Sequence, residues 1–179
     1  MSHHNLGKGI VKALLKAGHK VTWVTPYPHK TLDNSNITVI DVSDVIEATG
    51  PLDVKLSRVT SMSMIKEITR NISQSTLHVK EFREALVKNQ YDAVVSEWFM
   101  SDVEAGWDRS FNEALYKTSF EPLAKARGVT LPSYSQALFN ISILFVNSHP
   151  SFSAPQSLPP NVIEIGGYHI DEDTPALPE

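Results

Sequence analysis

Two adjacent histidines, His3 and His4, open the chain, and a carboxylate, Glu97, closes an apolar stretch near its middle. An imidazole can ligate a metal or move a proton near neutral pH, and a carboxylate beyond a strand can serve a ligand, a reaction or a helix cap. Adjacent histidines do not share a helix face as an i, i+4 pair does, and no HExxH or Asp-rich loop occurs, so metal ligation has no pattern to stand on. Met1-Ser-His-His is read equally as a frayed terminus or a tag remnant. Glu97 falls where ligand groups gather beyond a parallel strand, while Asp102 reads as a helix cap and Asp92 as a turn residue. Trp98, Phe99, Met62 and Met64 read as packing, and His149 as a structural hydrogen-bonding residue. Neither GxGxxG nor GxxxxGK[ST] is present, so the chain has no phosphate-cradling loop of its own.

These residues need elements to position them. Ile10, Val11, Leu14 and Leu15 recur at helical spacing, which predicts a helix over Lys8 to Gly18, started by Ser2 or Asn5 and ended by Gly18. Strands are predicted at 20–25, 36–42, 91–96, 142–147 and 162–165, the third of them buried. One long helix is predicted over 63–89, a capped helix after Ser101 or Asp102, and another over 112–127 stopped by Gly128. The stretch 150–160 is a Pro-rich connection, and the acidic tail 171–179 reads as a linker. Helices alternating with short apolar strands predict an α/β fold with a mostly parallel sheet.

Composition sets the outer limits. The chain has 179 residues, 41% hydrophobic and 20% charged, enough for one globular domain or a piece of a larger protein. A formal charge of −4 gives no reason to expect nucleic acid as a partner. Without cysteine, disulfides, thiolate metal sites and cysteine nucleophiles are excluded. No apolar run reaches the length of a membrane span, and the first residues lack the apolar core of a signal peptide. Three N-glycosylation sequons, at Asn36, Asn71 and Asn140, exceed the roughly one per 150–200 residues that ordinary Ser/Thr frequencies give, and point toward a lumenal origin.

Four stretches carry a resemblance: residues 2–22 around His3, His4 and the Gly18-His19 pair; Tyr91-Asp-Ala-Val-Val-Ser-Glu-Trp-Phe99; Ile143-Leu-Phe-Val-Asn-Ser-His-Pro150; and Leu158-Pro-Pro-Asn-Val-Ile-Glu-Ile-Gly-Gly167. Together they resemble the N-terminal, acceptor-binding half of UDP-glycosyltransferases, of the insect type, and residues 43–80 and 107–111 match least. The resemblance implies a Rossmann-like N-terminal domain of a GT-B enzyme over residues 1–170, with 171–179 starting the interdomain linker. It implies transfer of a hexosyl group from a UDP-sugar to a hydroxyl of a small lipophilic acceptor, with inversion. His3 stands at the position of the family's general base and Glu97 where many members carry an aspartate. No cofactor is implied beyond the UDP-sugar co-substrate, which is bound mainly by the C-terminal half. The family implies a detoxification role on the lumenal side of the endoplasmic reticulum membrane, with homo- or hetero-oligomers of related transferases as further partners.

Measured against that family, the chain is expected to lack the first, central strand, the signal peptide, the donor-binding half and the membrane anchor, and to be shortened internally near 106–112. It therefore reads as an incomplete transferase, inactive alone and marginally stable near its first 25 residues. Two other functions remain open at this point: a non-catalytic partner of full-length transferases, and a stand-alone module binding a small lipophile.

Overall fold

The computed structural model describes residues 2–28, 32–49, 58–97, 109–149, 151 and 157–170. They divide into two compact units, one within Met1–Val21, Leu32–Ile37 and Ser135–Glu179, the other within Thr22–Thr31 and Thr38–Tyr134. Helices and strands both occur, consistent with an α/β chain, and among the described residues the strands form two two-stranded sheets.

In the first unit, helix α1 spans Ser2–Lys16 and buries Val11 and Leu15. It begins well before the expected Lys8, so Asn5 is an interior residue rather than a cap. Its end follows the sequence reading. Gly18 has φ 85°, its N–H donates to the Leu15 carbonyl at 3.0 Å, and the His19 N–H donates to the Leu14 carbonyl at 3.0 Å. Those two bonds are the Schellman stop, and its left-handed position suits a residue without Cβ.

Strands β1 (Val21–Thr25) and β2 (Ile37–Asp41) pair. The Val21 N–H donates to the Asn36 carbonyl at 2.8 Å at their starts, and the Val42 N–H to the Thr25 carbonyl at 3.1 Å at their ends, so they run parallel. Asp41 Oδ1 accepts from the Ser43 N–H at 2.8 Å and leads the chain into α2 (Ser43–Thr49).

In the second unit, α3 (Arg58–His78) and α4 (Lys80–Lys88) replace the single long helix expected. The break is at Val79, whose φ −61° and ψ 124° are extended. Near the break, Arg83 Nη1 donates to the Leu77 carbonyl at 3.5 Å and the His78 ring bonds the Gln74 carbonyl through Nδ1 at 2.7 Å. The break lets Val79 join Phe82, Ala85, Ile72 and Val24 around the buried residues Ile40, Val42 and Val45. α2 packs on α3, α3 on α4, and α4 on α5 (Arg109–Arg127). Arg127 Nη1 donates to the Leu86 carbonyl at 2.8 Å, tying the end of α5 to the last turn of α4.

The buried strand expected at 91–96 does not form. Residues 89–97 are irregular and exposed, Val94 at 82%. Its Ala-Val-Val run has the composition of a buried parallel strand, but among the described residues no strand lies alongside it to take its backbone groups. The cap residues Ser101 and Asp102, and the junction at 106–108, lie outside the described residues.

Back in the first unit, α6 (Tyr134–Phe139) leads toward β3 (Leu144–Val146), which pairs in parallel with β4 (Val162–Glu164). Leu144 stands opposite Val162, Phe145 opposite Ile163 and Val146 opposite Glu164. Both strands are shorter than expected, and Phe145 and Ile163 leave one sheet face apolar and exposed.

Candidate functional site

Helix α1 places His3 in its first turn with an exposed side chain. Residues i and i+4 lie on one helix face, so Gly7 sits one turn below it. A Cβ at Gly7 would meet nothing within 4 Å, whereas a Cβ at Gly9 would stand 3.0 Å from the His169 Cα and 3.2 Å from the Tyr168 ring. One face of α1 is therefore pressed against the 165–170 turn, while among the described residues there is room for a Cβ at Gly7, which is half-buried.

A second polar cluster stands at the end of the β3–β4 pair. The Ser148 N–H donates to the Val146 carbonyl at 2.8 Å, and the Gly166 N–H to the Ser148 carbonyl at 2.9 Å. Ser148 Oγ donates to Glu164 Oε1 at 2.5 Å. A Cβ on Gly166 would lie 2.7 Å from the Ser148 carbonyl oxygen, so only glycine allows this approach. The sequence reading passed over the Ser148–Glu164 pair, because only the parallel register brings residues 16 apart into contact. His149 Nδ1 accepts from the Ser151 N–H at 3.2 Å and faces Ser151 Oγ at 2.7 Å, the structural hydrogen bonding expected of it. With Nδ1 accepting, the neutral ring carries its proton on Nε2.

Glu97 belongs to the second unit and ends the irregular stretch 89–97, with its side chain exposed. It does not follow a strand, as the sequence pattern had it. Asp92 occupies a bend, in keeping with its turn reading. Trp98, Phe99 and Asp102 lie outside the described residues. Among the described residues no group of three His, Asp or Glu side chains could hold a metal ion, and no helix is long and apolar enough to cross a membrane.

No family model matches the chain. No solved structure matches it either. UDP-glucosyltransferase 2 of Dactylopius coccus is 24% identical over 244 residues, covering 98% of this chain and 47% of that protein. The chain thus spans about half the length of this relative. Since the match runs over 244 residues and the chain has 179, at least 65 positions of the relative (244 less 179) face gaps here. The chain is a distant relative of a UDP-glucosyltransferase, and its similarity is to a glycosyl-transferring enzyme.

Proposed function

We propose that this chain is the N-terminal, acceptor-binding part of a UDP-glycosyltransferase, and that it works with a separate donor-binding part. The observation that carries the transferase part of this reading is the match to UDP-glucosyltransferase 2 along 98% of the chain, while the N-terminal, acceptor-binding part rests on the four stretches of resemblance. The missing phosphate loop fits it, since the nucleotide would be held elsewhere.

In this reading His3 is the general base. As the acceptor oxygen forms its bond to the anomeric carbon, the carbon–oxygen bond to UDP breaks on the opposite face, UDP leaves, and the hydroxyl proton passes to the imidazole. The configuration inverts. Glu97 is assigned, by the resemblance alone, the family's carboxylate role of orienting that base and stabilising its imidazolium. The exposed side chain of His3 in the first turn of α1 is compatible with the assignment. The gaps against the relative are assigned chiefly to the junction at 106–112.

The test joins the chain to the donor-binding part of the relative and measures transfer from UDP-glucose to a panel of phenolic and alcoholic acceptors. Activity is expected in the joined protein and absent in the chain alone. His3→Ala should lower kcat by about 10²–10⁴-fold, the worth of a positioned base. Full activity in His3→Ala removes the base assignment, and transfer by the chain alone removes the division of labour. A second reading, a non-catalytic partner of full-length transferases, is favoured by the exposed apolar face of Phe145 and Ile163. It requires that co-expression change the activity or oligomer size of such an enzyme.

A further inference from the structure

The three sequons share a tripeptide pattern but sit on three different backbones. Transfer of an N-glycan joins the Asn side-chain nitrogen to the first sugar carbon of a lipid-linked pyrophosphoryl oligosaccharide. The bond from that carbon to phosphate breaks, the lipid pyrophosphate leaves, and the amide proton is lost. The transferring enzyme must engage the Asn amide and the hydroxyl two residues on at the same time.

Asn36 ends the turn before β2, and Thr38 lies within β2. The sequon therefore straddles a turn and the start of a strand, outside any helix, with Asn36 and Thr38 at its two ends. Both are exposed, while Ile37 between them is half-buried. The Asn36 backbone is held, its N–H donating to Asn34 Oδ1 at 2.8 Å and its carbonyl accepting from Val21 at 2.8 Å. Asn140, Ile141 and Ser142 follow α6 on irregular backbone, and all three are exposed. They are flanked by Phe139, 78% exposed, and Ile143, 49% exposed, so a glycan there would shade an apolar patch from solvent.

Asn71 differs. It lies inside α3, where residues i and i+2 are about 200° apart around the axis. Ile72 between Asn71 and Ser73 is packed against the Ile40, Val42, Val45 core, which holds that segment in the helix. Helices relax in about 0.1–1 μs, whereas synthesis adds about 5–20 residues per second, so once its packing partners are made the helix around Asn71 is not held back by its rate of formation.

We propose that Asn36 and Asn140, and not Asn71, are N-glycan acceptors of this chain. The proposal does not depend on the transferase reading, only on entry into the secretory lumen. To test it, the full chain is expressed in insect cells behind a cleavable secretory leader and treated with an amide-cleaving glycosidase in ¹⁸O water. Two steps of electrophoretic mobility are expected to collapse on digestion. Asn36→Gln and Asn140→Gln should each remove one step, and Asn71→Gln none. In the unsubstituted chain, peptide mass spectrometry should find ¹⁸O-labelled aspartate at positions 36 and 140 only, a readout independent of how the variants fold. No step, one step, three steps, or label at position 71 overturns the proposal.

Discussion

Two glycines on the same helix are under opposite constraints. Gly7 and Gly9 both lie inside α1, where alanine is the better helix former by about 0.5–1 kcal/mol. At Gly7 the added methyl meets nothing, so Gly7→Ala is expected to stabilise the chain by that amount. At Gly9 the same methyl presses on the backbone of His169, and the gain should be lost. Gly166→Ala is the severe case, because its methyl would meet a backbone oxygen at 2.7 Å. Moving that oxygen disturbs the Gly166–Ser148 bond, and a loss of about 1–3 kcal/mol is expected. Urea unfolding of the three variants checks the order, and a stabilising Gly166→Ala would contradict the close approach. The sequence shows all three as glycine and cannot rank them; the ranking comes from neighbours more than 100 residues away in the case of Gly9.

At the scale of elements, local stop signals were readable and long-range pairings were not. Gly18 and Gly128 both end their helices as expected. At Gly128 the N–H donates to the Lys125 carbonyl and the Val129 N–H to the Ala124 carbonyl, repeating the Schellman pattern. The expected strand at 91–96 failed because a strand depends on a neighbour and not on its own composition. The contrast predicts that Ile40→Ala costs about 2–5 kcal/mol, as for a buried side chain, while Val94→Ala changes stability by less than about 0.5 kcal/mol. A large loss at Val94 would mean that the segment is packed after all. Helix α5 makes a pH prediction. Tyr116 donates its hydroxyl to the Pro132 carbonyl at 3.1 Å, and its ring lies between Phe120 and Tyr134. Burial raises its pKa above the usual 10.0. The folded state thus holds this proton more tightly than the unfolded state. Its contribution is complete below the unfolded value and is lost as pH rises past it. Stability should fall above about pH 10, and Tyr116→Phe should weaken that fall. Unfolding midpoints followed from pH 8 to 11 decide it.

For the molecule as a whole, the buried apolar side chains are few among the described residues: Val11, Leu15, Ile40, Val42, Val45, Leu123 and Ala124. Large apolar side chains remain in water, among them Val94, Phe139, Ile143, Phe145, Ile163 and Ile170. Among the described residues, buried apolar surface this small offsets little conformational entropy. The isolated chain is therefore expected to melt below about 55 °C and to bind an apolar fluorescent dye under native conditions. A cooperative transition above that temperature, without dye binding, would contradict it.

What the sequence determined alone were the short-range features: where α1 and α5 stop, that His149 makes structural hydrogen bonds, and the resemblance to glycosyl-transferring enzymes. Each depends on residues within about one helical turn, or on a pattern of neighbours along the chain. The tertiary structure decided which extended segments became strands, where the long helix broke, which glycine is indispensable, and that Ser148 meets Glu164. The sequence offered His3 as a base candidate by resemblance; that its side chain is exposed in the first turn of α1 came only from the structure. The physical reason is the same throughout. A cap is satisfied by its own turn, whereas a strand, a core face or a close backbone approach is satisfied only by a partner distant in sequence.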